Sequence, residues 1–427
     1  MIDLDIGRLV EPLSGRFWDP PEVHRETALR AGRFTSLGLA PGDRVVLAFG
    51  NSLEFFAELM AIWRLGACAI PVDARLTAFE MGNLARAAGA KCAVVDESAS
   101  GEVIAPIEAS GAIVVSTQDV GHRESGRAQA GLDVDALMLF TSGSTGDPKG
   151  VVHTHRSLRA RWLSLRDRLP AAAFARTLCM LPTHFGHGLI CNCLFPWLSG
   201  NELHITPPFR PDLLTRLGKI IDEGAITFMS SVPAIWKLAI KLATPPKGGT
   251  LRRVHVGSAP LSAQAWDDIR KWTGTRQVCN AYGITETGSW AAGLVDADVE
   301  AEDGLIGTGW GTVIAVLRSG ETPLPPTAEL RCAPGDPGCV WLNTSALMKG
   351  YFRRDDLTDK AVSNGWFTTG DIGFLDDRGR LYLRGRERDE INKGGMKIYP
   401  SDIDAVVERF PAARDVCAFA LDDATYG

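Results

Sequence analysis

The sequence predicts an α/β protein. A large N-terminal domain of two βαβ-type subdomains carries a smaller β subdomain. Three observations predict it. Short apolar runs alternate with helix-like stretches through the first 120 residues, the pattern of a mostly parallel sheet covered on both faces. A loop of small and hydroxyl residues from Thr141 to Gly150 follows the apolar run at 134–140. Loops that follow strands are where such sheets hold ligands. After Gly304 short β-like runs between turns replace the alternation.

In chain order, residues 23–38 suit a helix with Gly38 beside its end. The turn Pro41–Gly42–Asp43 leads to a strand at 45–49. Asn51 followed three residues later by Glu54 reads as a capping box for a largely buried helix at 53–65. A strand at 68–72 comes next, and Thr77 with Glu80 repeats the capping pattern before another helix. Short strands are expected at 92–95 and 113–115. Residues 225–230 read as a strand before a helix opening near Pro233, where a missing N–H costs nothing. A strand at 251–256 leads into Gly257–Ser258–Ala259–Pro260, and the run 277–279 into a polar stretch over 280–288. The β-like runs lie at 313–317, 329–332 and 340–344, with a hairpin turning at Asp376–Gly379 and returning over 381–383.

The Thr141–Gly150 loop carries the first chemical signal. Thr141, Ser142, Ser144 and Thr145 offer hydroxyl donors, and Gly143 and Gly146 let the chain bend and expose backbone N–H groups. Lys149 adds a mobile positive charge. The reading is a polyphosphate cradle, most simply for ATP. It is not a P-loop, because Pro148 precedes Lys149 and Gly150 follows it. Composition alone also suits a flexible surface loop.

Elsewhere the residues are less specific. His153 and His155 lack a Glu to complete a metal pattern and read as capping or packing residues. In the apolar segment 181–205, His184, Phe185 and His187 stand among glycines. His187 has two open roles, beside a substrate or packed on a backbone carbonyl. The formal charge of −6 over 427 residues gives no general nucleic-acid footprint. No apolar run is long enough to span a bilayer. Nine cysteines without a framework or zinc spacing read as reduced thiols of a cytoplasmic protein.

The order of the motifs adds a family. The 139–150 run resembles the phosphate loop of the adenylate-forming enzymes, which include acyl- and aryl-CoA ligases, luciferases and peptide-synthetase adenylation domains. Tyr282–Gly283–Ile284–Thr285–Glu286–Thr287 is similar to the second signature of that family, and Gly365–Trp366–Phe367–Thr368–Thr369–Gly370–Asp371 to its third. Gly385–Arg386–Glu387–Arg388–Asp389 with Lys393–Gly394–Gly395 is similar to its hinge. The resemblance implies ATP, Mg2+ and coenzyme A as cofactor and co-substrates. It places Thr145, Lys149 and Thr285 on the phosphates and Glu286 on Mg2+. It places Gly257, Ser258, Ala259, Asn280, Ala281, Tyr282 and Gly283 around adenine, with Tyr282 stacked on it and Asn280 bonding its edge. Asp371 and Arg386 fall at the ribose. The segment 181–205, closest in feel to aryl-CoA ligases, implies an acid pocket of His184, Phe185, His187, Ser230, Gly257 and Trp290.

The family hinge is usually Asp or Lys, and here Arg388 takes its place. The domains the resemblance implies are 1–387, the N-terminal domain holding the ATP and acid sites, and 388–427, the hinge and the start of a truncated, mobile α+β C-terminal domain. The C-terminal lysine of the family, which bridges carboxylate and α-phosphate, has no counterpart, so a truncated form is expected. The expected function is ATP-dependent activation of an aromatic or short-chain acid to acyl-AMP, followed by thioester formation with CoA. Two alternatives stand beside it: loading of an acyl-carrier protein, and a non-catalytic nucleotide- or acyl-adenylate-binding module. The expected partners are a small carboxylic acid and CoA or the carrier protein, with neither nucleic acid nor membrane, and a homodimer is left open.

Overall fold

Two extended sheets carry the described part of the chain. The computed structural model describes residues 5–121, 125, 131–141, 149–207, 210–318, 327–389, 391–393, 396–407, 410, 413, 416–419 and 421. Ser142, Gly143, Ser144, Thr145 and Gly146 lie outside the described residues, as does the side chain of Arg388.

In one sheet the central strands are Arg44–Ala48, Cys68–Pro71 and Cys92–Val95, paired in parallel. Asp135–Thr141 joins Cys68–Pro71 in parallel and turns back antiparallel into Lys149–Thr154. In the other, Arg176–Cys179, Phe228–Ser231, Arg253–Gly257 and Val278–Ile284 run parallel. The chain is α/β, and its β-rich later strands join this second sheet where Leu305–Gly309 pairs with Ser289–Gly293.

The helix Leu53–Arg64 buries Leu53 and every residue from Phe55 to Trp63, and the one charge among these, Glu58, is paired with Arg30 and Arg33. Trp63 fixes the helix by donating its indole N–H to the Ala136 carbonyl at 2.7 Å. Ser52, not Asn51, caps this helix, accepting from the Phe55 N–H. Asn51 instead donates to the Leu181 and Thr206 carbonyls at 2.8 and 3.0 Å and accepts from Thr183 N–H at 3.0 Å. A buried amide that satisfies three distant backbone groups outweighs a local cap. At Thr77 the capping box forms as expected with Glu80.

Three further differences have local causes. The polar stretch from Asn280 continues as a strand to Ile284, because Arg253–Gly257 and Ser289–Gly293 supply backbone partners on either side. Residues 328–330 form a 3-10 turn, and pairing there is limited to a bridge between Leu317 and Arg331. The segment His187–Leu194 is a π-helix, buried throughout, a rare form that is frequent at functional sites. Gly188 lets it start: a Cβ there would meet the Pro182 carbonyl oxygen at 2.3 Å.

Candidate functional site

The phosphate side is assembled by one antiparallel hairpin. Thr141 and Lys149 are register partners on its strands. Gly350–Tyr351 adds to the outer edge of Lys149–Thr154, pairing Tyr351 with Val151. That register brings the Tyr351 ring to 5.7 Å from the Lys149 ammonium. The Tyr351 hydroxyl donates to Glu286 Oε1 at 2.7 Å. The phenol is pushed up, first by burial and then by the Glu286 charge, so it stays a donor. Lys149 and Glu286, far apart in sequence, thus meet across one tyrosine.

The Thr285–Thr287 turn is gripped from behind. His153 Nε2 lies 2.7 Å from the Thr285 carbonyl and donates to it, while Nδ1 lies 3.1 Å from Ser157 Oγ. Burial holds this histidine down at about 4, so the ring is neutral near pH 7. Arg161, fully buried, donates through Nη2 to Thr287 O at 2.8 Å and through Nη1 to Trp310 O at 2.8 Å. Burial lowers its guanidinium to about 10. Both carbonyls flanking Glu286 are therefore fixed, and its carboxylate projects from a held turn. His153 is a packing residue as expected, but one packed on the site. Tyr351 and Arg161 were not among the expected site residues. Tyr351 reaches Glu286 through strand pairing, and a helical arginine ordinarily reads as solvated.

On the nucleoside side, Asp371 is buried and both of its oxygens are engaged. Oδ2 accepts from the Tyr282 hydroxyl at 2.5 Å, and Oδ1 forms an ion pair with Arg386, 3.2 Å from its Nε. Burial, with the adjacent Asp371 charge, raises the Tyr282 phenol well above its ordinary value. Asp371 and Arg386 are register partners on adjacent strands. The Tyr282 hydroxyl tether fixes its ring plane. Asn280 is buried, and its amide donates to the Leu305 carbonyl at 3.1 Å; this amide N–H is directed to the backbone. Gly257, Ser258 and Ala259 close the end of a parallel strand, with Ser258 and Ala259 exposed and Gly257 against the Ala281 carbonyl. Gly283 is required by a close approach, since a Cβ there would meet Ser289 O at 1.7 Å.

The acid-side residues divide into two groups. His187 Nε2 lies 2.6 Å from Ser230 Oγ, and its Nδ1 lies 2.9 Å from Ser258 Oγ. Ser230 donates to the His255 carbonyl, so it accepts from His187 Nε2–H. Burial holds His187 at about 4. The neutral ring then accepts from the Ser258 hydroxyl at Nδ1. Trp290 sits edge-on to His187 at 5.7 Å, and a Cβ on Gly257 would lie 3.6 Å from the His187 ring. His187, Ser230, Gly257, Ser258 and Trp290 thus form one cluster. His184 instead faces Asp73, 3.8 Å from its carboxylate, and Phe185 is 56% exposed.

The donor set suits Mg2+. That ion is bound by one or two carboxylates together with substrate phosphates. Among the described residues no group of three His, Cys, Asp or Glu side chains forms. Glu286, with one oxygen given to Tyr351, can offer the other beside Lys149.

Residues 21–352 match the model of a family described as AMP-binding enzyme. The long-chain-fatty-acid–CoA ligase FadD13 of Mycobacterium tuberculosis is 29% identical over 411 residues, covering 92% of this chain and 78% of its own length. The 2-succinylbenzoate–CoA ligase of Geobacillus kaustophilus is 27% identical over 413 residues, covering 95% and 80%. The ATP-bound structure of MatB from Rhodopseudomonas palustris superposes with a TM-score of 0.83 at 25% identity, covering 96% of this chain and 81% of that one.

Proposed function

The chain belongs to the AMP-binding enzyme family, and from that premise we propose that the crevice between Glu286 and Asp371 seats ATP for acid–CoA ligation on a compact acid. The activity is that of an AMP-forming acid–CoA ligase using ATP, Mg2+ and CoA. A carboxylate oxygen attacks the α-phosphorus of ATP, the bond to the β-phosphate oxygen breaks, and pyrophosphate leaves. The CoA thiol then attacks the acyl carbon of acyl-AMP. AMP departs, the thioester forms, and the thiol proton passes to solvent.

Lys149 places positive charge where the attacked phosphoryl group gains negative charge. Glu286 would hold Mg2+, which would supply Lewis-acid neutralisation of the phosphates. Thr285 faces the α-phosphate, Asp371 takes the ribose hydroxyls, and Arg386 balances the anionic charge. Thr141 and the Ser142–Gly146 loop cradle the phosphates. Residues 1–387 form the body, and Arg388 is the pivot about which the C-terminal segment turns. The acid sits against His187, Ser230, Gly257 and Trp290, walls that favour an aromatic or short-chain acid over a long one. The nine cysteines are unbridged, which supports a cytoplasmic setting. Among the described residues no helix is long and apolar enough to cross a membrane.

The observation that carries the reading is the meeting of Lys149 and Glu286 across Tyr351. A carboxylic-acid panel scored by CoA-dependent AMP release tests it. Preference for benzoate-like or short acids is expected, with Glu286→Gln lowering the rate about 100-fold, the scale of losing one electrostatic stabiliser. Preference for long fatty acids would refute the pocket, and full activity of Glu286→Gln would refute the metal assignment.

A further inference from the structure

The strand Arg253–Gly257 gives way to an exposed bend at Ser258, Ala259 and Pro260. Ser258 has a φ of 66°, the left-handed form that residues other than glycine seldom adopt. Its neighbours leave the reversal to it. Gly257 is still paired in the strand, in register with Ala281. Pro260 pushes the residue before it, Ala259, toward extended backbone.

The side chain of Ser258 is bonded to His187, with Oγ and Nδ1 2.9 Å apart. The imidazole is itself pinned. Its Nε2 lies 2.6 Å from Ser230 Oγ, on the neighbouring strand Phe228–Ser231. Trp290 packs edge-on to the ring at 5.7 Å. A buried ring held at both nitrogens does not follow an exposed turn, so the turn is fixed to the ring. The turn also borders the nucleoside side. Ala281, the register partner of Gly257, precedes Tyr282, whose hydroxyl is tethered to Asp371.

We propose that His187, a wall of the acid pocket, is also a positioning residue for the nucleotide: through its bond to Ser258 it holds the 258–260 turn in the left-handed form against which the nucleoside seats. This deepens the ligase reading and rests on its nucleotide crevice. One side chain then serves both substrates. The acid packs on the His187 ring, and the nucleotide meets the backbone that its Nδ1 fixes. The role of the Ser258 hydroxyl is conformational, and the ligand does not need to touch it.

The test compares Ser258→Ala with Ser258→Gly in the full chain. Both remove the hydroxyl. Alanine keeps a Cβ that disfavours positive φ, whereas glycine adopts that backbone freely. Steady-state AMP release gives KM for MgATP and for the acid, calorimetry gives Kd for MgATP, and circular dichroism checks folding. Ser258→Ala should raise KM and Kd for MgATP roughly 5- to 30-fold, the range that the left-handed penalty of a non-glycine residue spans. Ser258→Gly should raise them less, by a factor of about three or more. His187→Phe should raise KM for both substrates in the unaltered chain. In the Ser258→Gly background it should again raise KM for the acid, but move KM for MgATP by less than about twofold. Equal rises in the two Ser258 variants, or a larger one with glycine, would make the hydroxyl a direct contact and overturn the inference. So would an unmoved KM and Kd for MgATP in Ser258→Ala, or an effect of His187→Phe on MgATP that is the same in both backgrounds. Each of these results leaves the ligase reading standing. If the unaltered chain binds MgATP and releases no AMP, the ligase reading fails and the Kd comparison still decides this inference. If it binds no MgATP, both fail. Should His187→Phe not fold, the two variants of exposed Ser258 decide.

Discussion

Tyr351→Phe removes the hydroxyl that donates to Glu286 and keeps the ring beside Lys149. A hydrogen bond to a charged group contributes about 1.5–3 kcal/mol. We therefore expect kcat/KM for MgATP to fall roughly 10- to 100-fold, while KM for the acid stays within about twofold. Steady-state AMP release reads both, and a rise confined to the acid KM would move Tyr351 out of the phosphate site. A second residue-scale expectation concerns pH. His153 and His187 are both held at about 4 by burial, against an ordinary 6.5. Between those values the unfolded chain binds two protons that the native protein rejects. Stability is thus fully present above about 6.5 and is lost as pH falls toward 4. Urea midpoints at pH 7 and pH 5 should show this loss, and His153→Gln should reduce it. An unchanged difference in that variant would contradict the assignment. At this scale Lys149, Glu286 and Asp371 were legible in the sequence because they stand within ordered motifs. Tyr351 and Arg161 were not, because their partners Glu286, Thr287 and Trp310 lie in distant segments of the chain.

The Thr285–Thr287 turn is held by elements distant in sequence, the Lys149–Thr154 strand through His153 and the helix His155–Arg168 through Arg161. Arg161→Leu strips Thr287 O of its side-chain donor and leaves Trp310 O only the long contact from Thr312 Oγ1 at 3.4 Å, in a buried setting. A loss of about 1–3 kcal/mol is expected, the cost of one unsatisfied buried carbonyl, measured as a shift in urea midpoint. A shift below about 0.5 kcal/mol, the size of a neutral surface change, would mean that the turn is held by other contacts. Gly188→Ala should also destabilise, by roughly 1–3 kcal/mol, because its new methyl meets the Pro182 carbonyl oxygen in a rigid stretch. Thr77 reads correctly as a cap because its partners are local. Asn51 misleads for the opposite reason: its partners, Leu181, Thr183 and Thr206, come from a different part of the chain. The π-helix His187–Leu194 and the short strands Leu9–Glu11 and Arg16–Trp18 left no periodic signal long enough to read.

Over the whole molecule, the alternation of apolar runs and helices made the α/β class legible, and the order of four motifs made the family legible. Neither disclosed that the β-rich strands after Gly304 continue the larger sheet, because register is set by pairing between distant segments. That continuity matters to function, since it brings Asp371 and Arg386 to Tyr282. The account centres on acyl-adenylate formation in this crevice. The most direct measurement supplies a carboxylic acid labelled with 18O in its carboxylate, together with ATP, Mg2+ and CoA, and follows the label by mass spectrometry. One 18O should appear in AMP, with unlabelled pyrophosphate and an equal amount of acyl-CoA. Formation of ADP, or label in released phosphate or pyrophosphate and none in AMP, would contradict the account.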